Sequence, residues 1–515
     1  MTEGVNEEVT KAGVLDAVSK SRLVRPILGR VTKRCRACGD RRLNVALELI
    51  AGTRLKSCFL CRFVAKLIRR VISAGADTFG TDLDSIITGL GNPIFRKSLS
   101  SVISGLVKFG ARTPFVPGSP FQVVWNITRA CNLRCKHCYE SAGERTADEM
   151  STNDALECID KLADAGVVFL AFSGGEPTLR PDILELIKSA TRKGMYVAVA
   201  TNGYTFSRLE RVKRFKRAGL KFVQISLDGA NSQTHDSFRG VSGAFERAIQ
   251  GIKNCVAEGL FVEIAMTATH HNLVELHDTI ELGRKLRAKW FMVYNFVPTG
   301  RGLDILDSDL TPDERENMLQ KILDMISSKD PEGMEVLTTA PQLGRLARKA
   351  ACSLCTPSSL NADNQVYPTH FFNARLPFQM KELSEFIGGC GAGRFYVAIE
   401  PNGDIYPCVF FPHIPEVRIG NILEDDFHDL WVNSDILSDL RNKDLLKGAC
   451  GSCQHRNVCG GCRARALGYF NDYLGPDPGC INNRDAWQGL FPIRTRKPSL
   501  QLVVQGQSKA APDIS

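Results

Sequence analysis

The segment from residue 121 to about residue 330 repeats a short apolar run followed by an amphipathic stretch, and this alternation restricts the fold most strongly. The amphipathic stretches predict helices near 153–165, 181–193, 207–218, 243–257 and 273–288. Four of them stop at glycines typical of helix C-caps, namely Gly166, Gly194, Gly219 and Gly259. Strands that alternate with helices build a parallel sheet. The sequence therefore predicts an α/β core with six strands: Val123–Thr128, Val167–Phe172, Tyr196–Thr201, Phe222–Leu227, Val262–Thr267 and Trp290–Phe296.

The composition is typical of a globular protein without membrane spans. The 515 residues are 43% hydrophobic and 23% charged, and this length corresponds to about three domains. No window approaches the roughly 18 to 20 consecutive apolar residues that cross a bilayer. The first residues, MTEGVNEEVTKAG, are unlike a secretory signal. We therefore expect a cytoplasmic protein.

Positive charge is concentrated in the first fifth of the chain. Residues 1–120 contain 20 Lys and Arg against 9 Asp and Glu, a net charge of +11, whereas the remainder carries −2. A basic segment fits an anionic partner, either a nucleic acid or a membrane surface. Aromatic side chains for base stacking are sparse there, so we expect no nucleic acid, although a zinc ribbon that binds one is the alternative of another class.

Three of the 18 cysteines form a C-x3-C-x2-C run, Cys131, Cys135 and Cys138, directly after the first predicted strand. Three thiolates on one loop can hold three irons of a [4Fe–4S] cluster, and no fourth cysteine follows locally, so one iron stays open. Zinc fits poorly because structural zinc sites use four ligands. The spacing therefore predicts a cluster with a free coordination position; three buried structural cysteines are the alternative.

A second motif, Ser173-Gly-Gly-Glu-Pro177, follows the second predicted strand. Glycines let a backbone approach a ligand closely, and the carboxylate of Glu176 can accept hydrogen bonds from an ammonium group. Alone, the motif would be an ordinary tight turn. Because it lies one strand after the cysteine run, the segment resembles the radical S-adenosylmethionine (SAM) superfamily.

The resemblance implies a partial (β/α)6 barrel of the TIM type, with its chemistry at the carboxyl ends of the strands. It also implies that the open iron binds the amino and carboxylate groups of SAM. An electron from a reduced ferredoxin or flavodoxin-like donor would then cleave SAM, and the resulting 5′-deoxyadenosyl radical would remove hydrogen from an unactivated C–H bond.

Positions that contact SAM in the superfamily correspond to residues in five separate segments of this chain. The resemblance places His137 near the adenine and Gly174, Gly175 and Glu176 at the methionine amine. It places Asn202, Ser226 and Arg239 at the ribose or the carboxylate. These last three residues are equally compatible with roles in turns or helix caps.

The carboxyl-terminal third contains a further group of cysteines: Cys390, Cys408, Cys450, Cys453, Cys459, Cys462 and Cys480. Their spacing resembles the SPASM extension of radical SAM enzymes, which carries two auxiliary [4Fe–4S] clusters. The resemblance assigns Cys450, Cys453, Cys459 and Cys480 to the outer cluster and Cys390, Cys408 and Cys462 to the inner one. Cys355 or Cys352 is the fourth inner ligand, or the inner cluster keeps an open iron that can bind substrate. Two residues rather than the usual three precede Cys462, which leaves this partition open.

Two C-x2-C pairs, Cys35 with Cys38 and Cys58 with Cys61, are separated by 19 residues near the amino terminus. This array predicts a closed tetrahedral site of four thiolates. The spacing does not distinguish one zinc ion from one rubredoxin-like iron, because both metals bind four thiolates in such a site. The two remaining cysteines, Cys158 and Cys255, lie on predicted barrel helices among apolar neighbours and are expected in the core.

The segment after Cys61 predicts an amphipathic helix. Its apolar stripe consists of Phe63, Val64, Leu67, Ile68, Val71 and Ile72, and basic residues lie opposite or beside it. Such a helix suits peripheral contact with a membrane, where cations meet phosphates. Packing of the stripe against the barrel is the alternative.

These features divide the chain into four parts: a four-cysteine and helical region at 1–120, the barrel at 121–335, a SPASM-like cluster domain at 336–490 and a flexible tail at 491–515. The combination resembles archaeal tetraether lipid synthases over about residues 33–487. This resemblance implies that the enzyme joins isoprenoid diether lipid tails by forming a C–C bond. The alternatives within the superfamily are a SPASM-type peptide maturase and a haem-pathway enzyme.

Overall fold

The computed structural model describes residues 31–79, 82–110, 112–327, 333–353 and 388–490. The predicted tail at 491–515 and Cys355 lie outside these residues, as does the side chain of Cys352. The strands are β1 (Gln122–Asn126), β2 (Phe169–Ser173), β3 (Tyr196–Thr201), β4 (Phe222–Ser226), β5 (Phe261–Ala268), β6 (Trp290–Asn295), β7 (Glu335–Thr338), β8 (Tyr396–Ile399), β9 (Asp404–Tyr406) and β10 (Gly420–Asn421).

The strands form one sheet in the order β10-β9-β8-β1-β2-β3-β4-β5-β6-β7. All neighbouring pairs from β1 to β7 are parallel, and β8 also pairs with β1 in parallel, whereas β9 and β10 are antiparallel additions. The predicted α/β core with a parallel sheet is therefore confirmed, and its six predicted strands correspond to β1–β6. Two further parallel strands, β7 and β8, were not predicted and extend the sheet on both sides.

The five predicted barrel helices are present as Thr152–Ala165, Ile183–Arg192, Leu209–Ala218, Ala244–Ala257 and Leu276–Lys285. The first begins with a capping box between Ser151 and Asp154 and ends at Gly166, whose φ is 92°. Gly219 ends the third helix with a φ of 114°. Side chains disfavour this left-handed region, so glycine is the residue that ends a helix there. A short helix that was not predicted, Ser232–Arg239, precedes Ala244–Ala257.

The outer face of the sheet packs against these helices. Successive strand residues face opposite sides, so one alternate set faces the helices and the other faces the barrel interior. The outer set includes Leu170, Val197, Val223, Val262 and Phe291, which are buried in the largest hydrophobic core. Cys158 and Cys255 are buried in the same core, as predicted.

The described part of the amino-terminal region, from residue 31 onward, contains the helices Arg42–Ile50, Phe59–Phe79, Leu83–Gly89 and Pro93–Phe109. On the second helix, Val64, Ile68 and Ile72 are buried in a separate hydrophobic core that includes Leu43 and Leu47 of the first. Much of the stripe for which we considered membrane contact therefore packs within the protein. Its neighbour is the helix Arg42–Ile50, whereas the alternative predicted the barrel. Within the described residues, no helix combines the length and the apolarity needed to cross a bilayer.

The carboxyl-terminal region adds the helices Gln342–Ser353, Phe427–Asn433, Asp435–Arg441, Gly448–Ser452, Arg463–Phe470 and Arg484–Gln488. Fully buried charges attach it to the barrel. Arg465 Nη1 lies 2.9 Å from Asp309 Oδ2, and Arg465 Nε lies 3.2 Å from Asp477 Oδ1. Arg315 Nη2 also lies 2.5 Å from Asp309 Oδ1. Buried charges are tolerated only when they are paired and hydrogen-bonded, so this network specifies how the two regions fit together.

Candidate active site

The loop after β1 carries Cys131, Cys135 and Cys138, and all three residues border one cavity inside the barrel. The backbone N–H of Leu133 donates to Cys131 Sγ over 3.4 Å, and the Arg239 guanidinium donates to Cys135 Sγ over 3.6 Å. Burial raises the pKa of Cys131 to about 12 and also raises that of Cys138. Three thiolates in such a place need a cation beside them, which iron supplies, so this donor set fits a cluster with three protein ligands.

Gly174 and Gly175 lie where the loop after β2 meets the cysteine loop. A Cβ atom would lie 2.6 Å from Thr128 O at Gly174 and 2.3 Å from Ala130 O at Gly175. The N–H groups of Gly175 and Glu176 donate to these two carbonyls over 2.7 and 2.8 Å. We expected the glycines to make room for a ligand. They border the cavity, but the close approach that requires them is to the backbone of the cysteine loop.

Glu176 is fully buried, and its carboxylate is held by donors from two strand ends. Oε1 accepts hydrogen bonds from the Thr178 N–H over 3.1 Å and from Thr201 Oγ1 over 2.7 Å. Oε2 accepts one from the Asn202 N–H over 2.8 Å. Burial raises the pKa of Glu176, and these donors oppose that change. The carboxylate is therefore fixed beside Gly175, which borders the cavity.

The other predicted SAM contacts, His137, Asn202, Ser226 and Arg239, border the same cavity. The ring of His137 stacks on Phe238 at 4.1 Å between centroids. Burial lowers the pKa of His137 to about 3, so its imidazole is neutral at physiological pH. The sequence thus identified residues from separate motifs that the fold brings to one place.

Two of these residues also have local structural contacts. The side chain of Asn202 donates to Asn132 Oδ1 over 2.9 Å and accepts from the Tyr204 N–H over 3.0 Å. Arg239 ends a helix, and its Nη2 lies 2.5 Å from Asp228 Oδ2. Roles in turns and caps therefore remain compatible with SAM binding at both positions.

The barrel interior is open because small side chains face it. Complete barrels fill this space with branched residues. Here Ala171, Ala198, Ala200 and Ala265 border a cavity of about 550 Å³. These residues were not predicted to line a cavity, although the period of two along each strand separates them from the branched residues on the outer face.

Aromatic residues close this cavity at the end of the barrel where the strands begin. Strands β2 to β6 each begin with one, in order Phe169, Tyr196, Phe222, Phe261 and Trp290. Their rings contact one another, with centroids 5.0 to 6.0 Å apart. Ile94, on the helix Pro93–Phe109, also borders the cavity. The cavity therefore extends along the barrel, from the cysteine loop to the floor made by these aromatic residues.

A second set of cysteines borders the cavity from the carboxyl-terminal region: Cys390, Cys408 and Cys462. Burial raises the pKa of Cys462, and Cys390 and Cys408 raise it further. The hydroxyl of Tyr396 lies 3.1 Å from Cys408 Sγ. These three thiols are thus electrostatic neighbours, as the predicted inner ligand set requires. Their donor chemistry fits an iron–sulfur cluster.

The predicted outer ligand set lies farther along the chain. Burial raises the pKa of Cys459, and the neighbouring thiols of Cys480 and Cys450 raise it further. The backbone N–H of His455 donates to Cys453 Sγ over 3.4 Å, and that of Asp477 donates to Cys450 Sγ over the same distance. Backbone donors of this kind are typical around cluster sulfurs.

The two amino-terminal C-x2-C pairs also come together. The sulfurs of Cys35, Cys38, Cys58 and Cys61 all lie within 4.8 Å of one another, and those of Cys35 and Cys58 are 3.6 Å apart. A tetrahedron with metal–sulfur bonds of about 2.3 Å has edges of about 3.8 Å, so the four thiols fit one metal ion. The Cys61 N–H lowers the pKa of Cys58 to about 6, whereas burial raises the pKa of Cys61, so a metal ion is needed to keep all four groups as thiolates.

Comparisons with known proteins agree with this geometry. Residues 125–283 match the radical SAM superfamily, and residues 390–455 match an iron–sulfur cluster-binding domain, SPASM. The AdoMet-dependent heme synthase of Methanosarcina barkeri (strain Fusaro / DSM 804) is 35% identical over 364 residues, which cover 70% of this chain and 97% of the relative. The mycofactocin maturase MftC of Mycobacterium tuberculosis (strain ATCC 25618 / H37Rv) is 33% identical over 366 residues, covering 70% and 83%.

The fold also resembles a solved structure, Streptococcus suis SuiB bound to precursor peptide SuiA. The TM-score is 0.55 at 18% identity, covering 75% of this chain and 79% of the other. The two sequence relatives favour the haem-pathway and maturase alternatives over lipid coupling, and they lend no support to the resemblance to tetraether synthases. Their identity and coverage nevertheless show the family. This chain belongs to the radical SAM superfamily and carries a SPASM domain.

Proposed function

We propose that this enzyme removes a hydrogen atom from a C–H bond of a substrate held between its two cavity-lining sets of cysteines. The main support for the proposal is that both sets of cysteines border the same cavity. When bound, SAM and a reduced cluster supply the 5′-deoxyadenosyl radical, with the electron coming from a ferredoxin or flavodoxin-like donor. The proposal keeps three [4Fe–4S] clusters: one on Cys131, Cys135 and Cys138, one on Cys390, Cys408 and Cys462, and one on Cys450, Cys453, Cys459 and Cys480.

The residues around the cysteine loop position SAM in this proposal. Glu176 accepts hydrogen bonds from the methionine ammonium, for which its fixed and buried carboxylate is prepared. Arg239 and Ser226 contact the carboxylate and the ribose, and neutral His137 lies beside the adenine. Correct placement of the target carbon is the chain's main contribution, because small displacements of reacting atoms slow reactions strongly.

The lining of the cavity favours an apolar substrate. Among the described residues, two cationic side chains border it, and neither is left for a carboxylate of the substrate, because Arg239 is assigned to SAM and Arg301 is held by the protein. Arg239 is paired with Asp228, and Arg301 donates to the carbonyls of Cys135 and Ala142 over 2.9 and 2.8 Å. Burial also raises the pKa of Glu263 to about 7, which favours its neutral form. A substrate with free carboxylates would leave them unpaired in such surroundings.

A hydrocarbon chain suits the polarity of this cavity, and the strand lengths indicate the depth of the barrel. Strands β2 to β6 contain five to eight residues and span roughly 17 to 26 Å at about 3.3 Å per residue. We therefore keep the isoprenoid diether lipid as the proposed substrate, with C–C coupling as the reaction. Each coupling removes one hydrogen atom from each of two chain-end carbons, which then bond to each other. It consumes two SAM and two electrons and releases two methionine and two 5′-deoxyadenosine.

The second candidate is a haem-pathway or peptide-modifying reaction, which the names of the relatives favour. The radical and its source would be the same, but the substrate would be a porphyrin or a peptide. Both bring carboxylate or amide groups into the site, and these groups need polar partners. Only the substrate, therefore, distinguishes the two candidates.

Filling the cavity should separate SAM cleavage from substrate modification. Ala198 faces the interior, away from the cysteine loop, so Ala198→Phe places a ring in the proposed path of the substrate. We expect 5′-deoxyadenosine formation to persist, while product formation falls on the order of 100-fold because the target carbon is misplaced. Anaerobic assays with SAM and dithionite, analysed by mass spectrometry, measure both quantities. Ala198→Gly, which keeps the cavity open, is the control, and equal product yields in both variants would place the substrate elsewhere.

We also propose peripheral membrane contact, at a surface that shares only Phe63 with the predicted stripe. Leu55, Phe59, Leu60 and Phe63 are exposed by 91%, 79%, 44% and 55%, and we call them the amino-terminal apolar patch. The basic side chains of Lys56, Arg62, Lys66, Arg69 and Arg70 are exposed around it. Aromatic residues that enter a bilayer interface beside cations that meet phosphates are typical of proteins that lie on anionic membranes.

Phe59→Ser combined with Phe63→Ser should weaken binding to vesicles of anionic lipid. Burying a phenylalanine side chain contributes about 1.5 to 3 kcal/mol, so the loss of both should reduce the affinity by at least about tenfold. Arg69→Glu with Arg70→Glu should weaken binding as well, and more so at low salt. Co-sedimentation with vesicles measures the effect. Val274→Ser, at an apolar residue exposed by 86% on the barrel, should bind like the wild type; equal loss in this control would exclude the patch.

A further inference from the structure

Four side chains from distant parts of the sequence converge where the barrel meets the carboxyl-terminal region. Asn126 ends β1, Glu140 follows the cysteine loop, Glu400 follows β8, and His413 lies five residues beyond Cys408. One ligand atom each from Glu140, Glu400 and His413 lies within 4.8 Å of the other two. His413 Nε2 is 3.2 Å from Glu400 Oε1 and 3.6 Å from Glu140 Oε1.

The two carboxyl groups are buried, His413 is partly exposed, and the cluster is incompletely paired. The side chains of Glu140 and Glu400 are exposed by 0% and 2%. The Asn126 amide donates to Oε1 of both carboxyl groups, over 2.5 and 2.9 Å. Oε2 of each carboxyl group and Nε2 of His413 form no hydrogen bond with any residue that the structure describes. Native proteins seldom bury so many unpaired polar atoms together, so the cluster calls for a cation.

Nearby cationic side chains are engaged elsewhere. Arg129 acts on Glu140 and Glu400 only through its charge, and its Nη1 lies 3.7 Å from Asp148 Oδ2. Arg418 Nε lies 2.7 Å from Asp404 Oδ1. Two carboxylates would balance the charge of one divalent ion, and the imidazole adds a nitrogen donor. Two oxygens and one nitrogen suit first-row divalent metals such as Mn²⁺, Fe²⁺ or Zn²⁺, whereas Ca²⁺ prefers oxygen alone.

We propose that Glu140, Glu400 and His413 bind one divalent first-row metal ion, separate from the cysteine sites. The ion would join the segment after Cys138 to the segment after Cys408. Between these segments, the Tyr139 hydroxyl contacts Asn126 Oδ1 and Ser173 Oγ at 3.2 and 3.0 Å, and its ring contacts Phe410 at 5.2 Å between centroids. The metal thereby fixes the two loops whose cysteines border the cavity. Its role is structural, and the proposal does not depend on the substrate.

Mn²⁺ is the probe that tests this site, because it prefers oxygen and nitrogen ligands to the thiolates of the other sites. The full-length enzyme, with its iron–sulfur clusters reconstituted without oxygen, is treated with EDTA and titrated with MnCl2. Electron paramagnetic resonance then measures free and bound Mn²⁺. We expect one saturable site per chain, and His413→Ala and Glu400→Gln should each weaken it roughly tenfold or more.

His428→Ala is the matched control, because His428 lies in the same region on the helix Phe427–Asn433 and contacts Lys108 instead. It should bind Mn²⁺ like the wild type, and iron content should be equal in all variants that fold. If Mn²⁺ shows no saturable binding to the wild type, or binds the site variants equally well, the metal site is excluded. A proton shared between the two carboxyl groups would then account for the cluster. The titration of the wild-type enzyme shows whether the Mn²⁺ site exists, even if a variant fails to fold.

Discussion

Cys135→Ala will abolish reductive cleavage of SAM. Cys135 is the most deeply buried of the three cysteines in its loop, and its sulfur accepts a hydrogen bond from Arg239. An alanine there removes one of only three protein ligands that the proposed cluster has. We expect 5′-deoxyadenosine formation to fall on the order of 1000-fold or more, together with loss of one cluster's iron. Anaerobic incubation with SAM and dithionite, followed by chromatography, measures the product.

Cys158→Ala is the control for this experiment. Cys158 is equally inaccessible, but it lies on the helix Thr152–Ala165 in the hydrophobic core. This variant should keep its iron content and cleave SAM, with at most a modest loss of stability from the missing sulfur. A Cys135→Ala enzyme that cleaves SAM as the wild type does would show that these three cysteines do not hold the reactive cluster.

Cys61→Ser should have the second large effect, on metal content and stability rather than on SAM chemistry. The four amino-terminal thiols fit one tetrahedral ion, and Cys61 is completely buried among them. Structural metal sites of this kind contribute on the order of 10 kcal/mol to folding. We therefore expect loss of one zinc or one mononuclear iron per chain and a clear fall in the melting temperature. Elemental analysis and thermal scans under nitrogen measure both.

The matched control here is Cys255→Ala, on the helix Ala244–Ala257. Cys255 is also buried, yet it lies in the core of the barrel, so its loss should leave the metal content unchanged. A Cys61→Ser protein that retains the wild-type metal content and melting temperature would mean that the four thiols hold no structural ion.

The local pattern of the sequence predicted the central strands well, because each one is a short apolar run next to an amphipathic helical stretch. It did not predict β7 or β8. Both contain four residues, and β8 pairs with β1 although more than 250 residues separate them. Short strands show too few alternations for their period to be recognised. β1 and β8 pair only because the folded barrel brings them together, so a local sequence pattern does not predict this pair.

Some features of the site could likewise be predicted from the sequence and others could not. Spacing indicated the cysteine loop, the amino-terminal pairs and the Gly-Gly-Glu loop, since the members of each lie close together in the chain. The inner set, from Cys390 to Cys462, was assigned through the resemblance to SPASM. Periodicity could not decide which neighbour the stripe with Val64 and Ile68 contacts, because an amphipathic helix has the same pattern against protein and against lipid. Glu140, Glu400 and His413 had no spacing to reveal them, because they come together only through the contact between the barrel and the carboxyl-terminal region.

The most direct test of the proposed function measures transfer of the abstracted hydrogen atom from the substrate to 5′-deoxyadenosine. An isoprenoid diether lipid with deuterated terminal methyl groups is incubated with the reconstituted enzyme, SAM and dithionite, and the 5′-deoxyadenosine is analysed by mass spectrometry. We predict that deuterium appears in 5′-deoxyadenosine and that two lipid tails become joined. Deuterium-free 5′-deoxyadenosine with the lipid, together with transfer from a deuterated porphyrin or peptide, would contradict the lipid proposal and establish the second candidate.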